Sequence, residues 1–214
     1  MTNSKNSIRV LAAVAALTVA PFVSAGAQTL YPSFQPPQIT DREYNFAVAS
    51  ADDIGTVLLV QWREGWSPLS QLSFEGGILD PDYDGDVRLL LGGTYGRQLN
   101  RASDNMPLDM MLTAGGNAIL GDGFALEVPV GLSLGHRFPL EQGLALTPYL
   151  HPRVAFRYAD PDGGDSDTDV GVAFDLGLNF EVSPRLSLRG TFMFGSDDVD
   201  AIGFSLAWRP GGMR

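Results

Sequence analysis

Chemistry in this sequence would have to come from very few residue types. There are two histidines, His136 and His151, and no cysteine, so neither a thiol nucleophile nor a thiolate metal site can be built. His151 shares the parity of Arg153, while Glu127, Ser133, Asp175 and Ser187 fall on the matching face of neighbouring segments. A base, a hydroxyl and an acid are the parts of an acyl-transfer site, but that chemistry needs them held at hydrogen-bonding distance. No motif spacing links them here. His136 reads as a residue at a segment end. The expectation is a chain without catalytic residues and without a cofactor.

The aspartates suggest metal chemistry instead. Asp80-x-Asp82-x-Asp84-Gly85 reproduces the opening of a calcium loop, yet the twelfth position, where a bidentate glutamate belongs, is Leu91. Asp165-x-Asp167-x-Asp169 is followed by Val170 rather than glycine. A solvated acidic loop is the plainer reading, with weak divalent-cation binding at Asp80, Asp82 and Asp84 as the alternative. The formal net charge of −11 repels nucleic acid and argues against such a partner.

Further charges recur at alternate positions within apolar segments: Arg63, Glu75, Arg88, Glu127, Arg137, His151, Arg153, Arg157, Asp175, Glu181, Arg189 and Arg209. Residues at alternate positions of a strand share one face, so these would line one interior. Buried charges are tolerated when paired, which predicts a network that plugs the interior. A narrow pore with an arginine-weighted lining is the second reading.

The elements that must position these residues are strands. Residues 1–27 have a secretory layout: Lys5 and Arg9, an apolar run from Val10 to Val19, then Ala25-Gly26-Ala27 as a small-residue cleavage site. Without that leader the 14 basic residues lose Lys5 and Arg9, leaving 12 against 25 acidic ones, a net charge of −13. Residues 28–42 are proline-rich and read as an extended lead-in. From 43 to 209 the pattern is alternation with turn residues between segments and no sustained helical period. Residues 210–214 form a tail. Ten segments are counted, near 44–50, 56–64, 70–78, 86–98, 108–120, 124–138, 143–158, 169–182, 185–195 and 200–209; eight would remain if the first pair lay outside the sheet.

In the clearest segment, Val170, Val172, Phe174, Leu176, Leu178, Phe180 and Val182 form one face, and Gly171, Ala173, Asp175, Gly177, Asn179 and Glu181 the other. Which face is inside decides the class. Three features turn the apolar face outward to lipid. The polar face is crowded with glycine and alanine, suited to a narrow interior. The strands are long enough to cross a tilted bilayer. Finally, the connections alternate in kind, so that 15 of the 19 aspartates fall in one alternating set. In an up-and-down barrel alternate connections emerge at one end, which makes one rim acidic. The fold class expected is all-β: an up-and-down antiparallel transmembrane β-barrel of ten strands.

The last segment, Ala201-Ile202-Gly203-Phe204-Ser205-Leu206-Ala207-Trp208, is similar to the C-terminal assembly signal of small outer-membrane barrels, with Gly203, Leu206 and Trp208 at its places. Ala201 stands where that signal opens on a polar residue, and Arg209 to Arg214 follow the aromatic. From 43 to 209 the chain resembles the OmpA/OmpX type of these barrels. The resemblance implies residence in the cell outer membrane, contact with its lipid, and handling by the barrel-assembly machinery. The expected role is structural or surface-interacting, with a narrow porin-like channel for small polar solutes as the alternative and a soluble lipocalin-like binder as the third.

Overall fold

The structure, a computed structural model, describes residues 31–51, 54–82, 85–121, 123–160, 165–195 and 200–211. The expected leader, Asp84, and the loop aspartates 52, 53, 122, 162, 197 and 198 lie outside these residues. The strands are β1 (Arg42–Ala51), β2 (Gly55–Ser67), β3 (Ser70–Asp80), β4 (Arg88–Asn100), β5 (Asp109–Gly121), β6 (Gly123–Gly135), the two-residue β7 (Phe138–Pro139), β8 (Ala145–Asp160), β9 (Asp167–Ser183), β10 (Leu186–Gly195) and β11 (Asp200–Trp208). Each long strand pairs antiparallel with its neighbour in sequence, β6 passes over β7 to pair with β8, and β11 returns to pair with β1. Ten strands thus close an up-and-down barrel with no free edge, and the eight-strand alternative is discarded. The small β7 is an appendage on β8, pairing Phe138 with Leu146.

Closure satisfies every strand edge through a neighbour, which an open sheet cannot do. The seam that completes it aligns Tyr44 with Trp208 and Phe46 with Leu206. Register is held by the two-residue side-chain period, since a one-residue slip would turn every side chain over.

Burial is inverted relative to a water-soluble barrel. In β9, Val170, Phe174, Leu176 and Leu178 are exposed, whereas Ala173, Asp175, Asn179 and Glu181 are fully buried. The same holds in β8, where Leu150 and Phe156 point out and Thr147, Tyr149, His151 and Arg153 point in. Apolar side chains on the outside of a closed sheet and polar ones within are the arrangement that suits lipid outside.

The two rims differ. At the end where Arg42 enters and Trp208 leaves, the connections are the short turns at 68–69 and 184–185 and the segments 101–108 and 136–144. Aromatic rings stack on the outer surface near this end, Tyr44 on Trp208 and Trp62 on Phe74, each pair 5.7 Å between centroids. Every described member of the aspartate-rich connections (Asp80, Asp82, Asp86, Asp160, Asp165, Asp167, Asp169 and Asp200) lies at the opposite end.

Candidate functional site: the filled lumen

The lumen is filled by more than its own walls. Residues 31–41 double back from the start of β1 and run up the inside of the barrel as an extended strap, with Tyr31 to Pro37 all buried. Pro32, Pro36 and Pro37 remove three N–H donors, so the strap needs few acceptors, and its carbonyls are taken by wall side chains. Arg153 donates to Tyr31 O (3.2 Å), Tyr149 to Ser33 O (3.3 Å), Arg63 to Phe34 O (2.6 Å), Ser133 to Gln35 O (2.7 Å) and Gln98 to Pro37 O (3.1 Å). In return Ser33 N donates to Asp175 (3.0 Å) and the Tyr31 hydroxyl to Glu75 (2.9 Å). A buried carbonyl left without a donor costs about 1–3 kcal/mol, so this track of donors fixes the strap's path.

Two inward glycines are sockets for it. A Cβ on Gly203 would stand 2.6 Å from the Phe34 ring, and one on Gly135 3.0 Å from Pro37. Gly203 therefore has a packing role beyond the assembly signal in which the sequence places it. Leu206 and Trp208, the other two positions of that signal, point outward and are exposed.

Below the strap, toward the arginine-bearing rim, Glu43 is completely buried and takes a bidentate pair from Arg189 (2.8 and 2.7 Å) and a bond from Arg209 (2.9 Å). Arg63 lies 3.6 Å away on its other oxygen. Beside it Arg189 also donates to Asn179 (2.9 Å), and Arg137, at the mouth, pairs with Glu181 (2.7 Å). Higher up, Asp175 pairs with Arg153 (2.7 Å) and stands 3.5 Å from His151 Nδ1, whose Nε2 is 2.8 Å from Thr113 Oγ1. Glu75 also accepts from Gln61 (2.9 Å). Glu127 is buried and faces Arg157 across the β6–β8 ladder.

The twelve residues expected inside are at inward positions, with Arg137 at the mouth, but the barrel does not gather them into one cluster. Arg153, Asp175 and His151 meet, Arg189 belongs to the Glu43 group, and Glu181 to Arg137. Arg88 and Arg157 stand half-buried toward the aspartate-rich end. The sequence reading missed Glu43, which is the centre of the lower group, because its segment is short and weakly alternating. It also missed Thr113, Tyr149 and the strap. Thr113, His151 and Asp175 form a hydroxyl–imidazole–carboxylate chain, but Asp175 is engaged by Arg153 and by Ser33. The space beside them is about 30 Å³, room for one water molecule. Two members of the group, Arg153 and Asp175, are bonded to the strap at Tyr31 O and Ser33 N. Of the candidate cation ligands, Asp80 ends β3 and Asp82 lies just beyond it, both at the surface. Among the described residues no group of three acidic or histidine side chains could hold a metal.

No protein-family model matches the sequence, and no curated protein matches it. Among solved structures it is similar to the Acinetobacter baumannii outer membrane protein Omp33, at 12% identity over 85% of this chain and 100% of that one, with a TM-score of 0.41. It is similar to the KdgM porin in complex with disordered oligogalacturonate, at 7% identity over 78% of this chain and 98% of that one, TM-score 0.43. A transmembrane β-barrel of de novo design is a third, at 12% identity over 80% and 97%, TM-score 0.38. The likeness is one of barrel architecture.

Proposed function

We propose that the chain is an outer-membrane β-barrel with a structural or surface-interacting role, its lumen closed in the resting state by its own N-terminal strap together with the charged network. The observation that carries this reading is the strap: five of its carbonyls are bonded by wall side chains, in the space a solute would have to use. The inverted burial supports the membrane setting, since an aqueous barrel would bury Phe174 and Leu176 rather than Asp175. Delivery would require a secretory leader and assembly by the barrel-insertion machinery, with lipid as the permanent partner.

The test is conductance of the refolded mature chain in a planar bilayer, with insertion verified independently. The full chain is expected to be silent, and the same chain lacking residues 28–40 to conduct in discrete steps. Steady conductance from the full chain would overturn the closed-lumen reading. A second reading, a channel whose plug is displaced, draws on the small inner residues along the strap (Ala47, Ala49 and Gly203), which would leave free space if the strap moved. Intermittent openings of the full chain that vanish when the strap is tethered to the wall would select it.

The membrane setting has its own check. Phe174→Arg places a guanidinium on the outer face of β9 and is expected to cost about 2–4 kcal/mol of stability in lipid if it lies near mid-bilayer. Urea-dependent folding into vesicles reads this out, and a neutral effect would point to a barrel that meets water instead.

A further inference from the structure

The apolar belt has very unequal heights on opposite sides of the barrel. On β1 the outward apolar residues are only Tyr44, Phe46 and Val48, bounded by exposed Arg42 and Ser50. On β2 they are Leu58, Val60 and Trp62 between Thr56 and Glu64, with Trp66 exposed beyond Glu64 at the end of the strand. Diametrically across the ring, β6 runs outward-apolar from Phe124 to Leu134. Its neighbour β8, with Leu144 just before it, does so from Leu144 to Tyr158. With strands rising about 3.3 Å per residue and tilted about 40°, the belt is roughly 10 Å tall on β1 and β2 and roughly 25–35 Å on β6 and β8.

The short side is finished as a boundary. Arg42 and Glu64 form an ion pair on the outer surface (2.6 Å), and the Trp62 indole N–H donates to the same carboxylate (3.1 Å). An exposed ion pair and an indole anchored to it belong at a headgroup level, and here the indole stands one outward position beyond Val60 and the ion pair two. At the centre of this side a shallow groove of about 740 Å³ passes over Gly76 between Val48, Leu58, Phe204 and Leu206. The groove gives shortened or tilted acyl chains somewhere to pack.

We propose that the β1–β2 side, beside the closing seam, is a lipid-deforming surface, against which the bilayer is drawn thinner than on the β6–β8 side. A membrane meets an apolar span shorter than itself by thinning locally. The alternative, leaving Ser50, Thr56 and the Arg42–Glu64 pair inside hydrocarbon, strips them of water and costs more. The inference rests on the membrane reading above. It places the thinnest part of the surrounding membrane at β1 and β2, next to the closing seam.

The absence of native cysteine makes the test direct. Single-cysteine variants Ser50→Cys, Thr56→Cys and Glu64→Cys report the short side, Val154→Cys and Leu176→Cys the tall side, and Asn105→Cys an exposed turn. Each is refolded into nanodiscs of long-chain phospholipid, open to solvent on both faces, and treated with a charged maleimide. The three short-side cysteines are expected to react as fast as Asn105→Cys, with loss of reactivity at the two tall-side positions. Protection of the short-side positions to the level of Leu176→Cys would overturn the proposal. If that protection persists in short-chain lipid, a second copy of the chain covers the surface instead. Equal reactivity at all six positions would overturn the membrane reading itself.

Discussion

Replacing Glu43 by glutamine should be among the most damaging single changes in this barrel, costing about 3–5 kcal/mol, the range for breaking a buried ion pair from one side. Glu43 is the one carboxylate to which Arg63, Arg189 and Arg209 all turn. Its removal leaves up to three guanidiniums in a closed interior with a single amide in exchange. The effect is asymmetric. Arg209→Gln leaves the bidentate Arg189 pair intact and removes a charge, and it should cost far less. Folding yield into vesicles against urea, for both variants side by side, measures the difference. Equal effects would mean that water reaches this group and screens it.

Gly203→Leu is the second large effect, and it separates the packing of this residue against Phe34 from the assembly role expected from the sequence. The added side chain must enter the space of the Phe34 ring, and overpacking of this kind costs about 1–3 kcal/mol. The strap should be unseated and the lumen opened, so conductance is expected from this variant and silence from the native chain. Combining it with Phe34→Ala returns the volume, and the double variant should regain stability and close again. If Gly203 mattered only as part of the assembly signal, Phe34→Ala would restore nothing.

The barrel was legible in the sequence because its physics is local. A two-residue period over Val170–Val182 or Phe124–Leu134 identifies a strand, and the same parity sorts residues into outside and inside without knowing any partner. Weak segments such as 44–50 still form full strands because closure demands them: β1 must be present for β11 to have a partner. The strap was not legible as a plug because none of its partners is near it in sequence. Ser33 meets Asp175 across 142 positions, and Tyr31 meets Glu75 across 44. One signal was present. Residues 28–40 contain no charged side chain in an otherwise strongly acidic chain, an odd composition for a solvated lead-in and a natural one for a segment sealed inside. The sequence also supplied the inward parity of His151 and Asp175 but not their grouping, since parity says which wall faces the lumen and not which side chains reach across it.

The strap also constrains the order of events by which the molecule is made. It is continuous with β1, and β1 is one half of the β1–β11 contact that turns a sheet into a ring. Until β11 reaches it the future lumen is an open trough, into which the strap can be laid sideways with its donors engaging one after another. After that contact forms, the only routes are endwise, through a mouth bordered by Arg137 and Arg209. Closure therefore changes the geometry of access: in an open trough the strap's donors can be met from the side, in a ring only along its length.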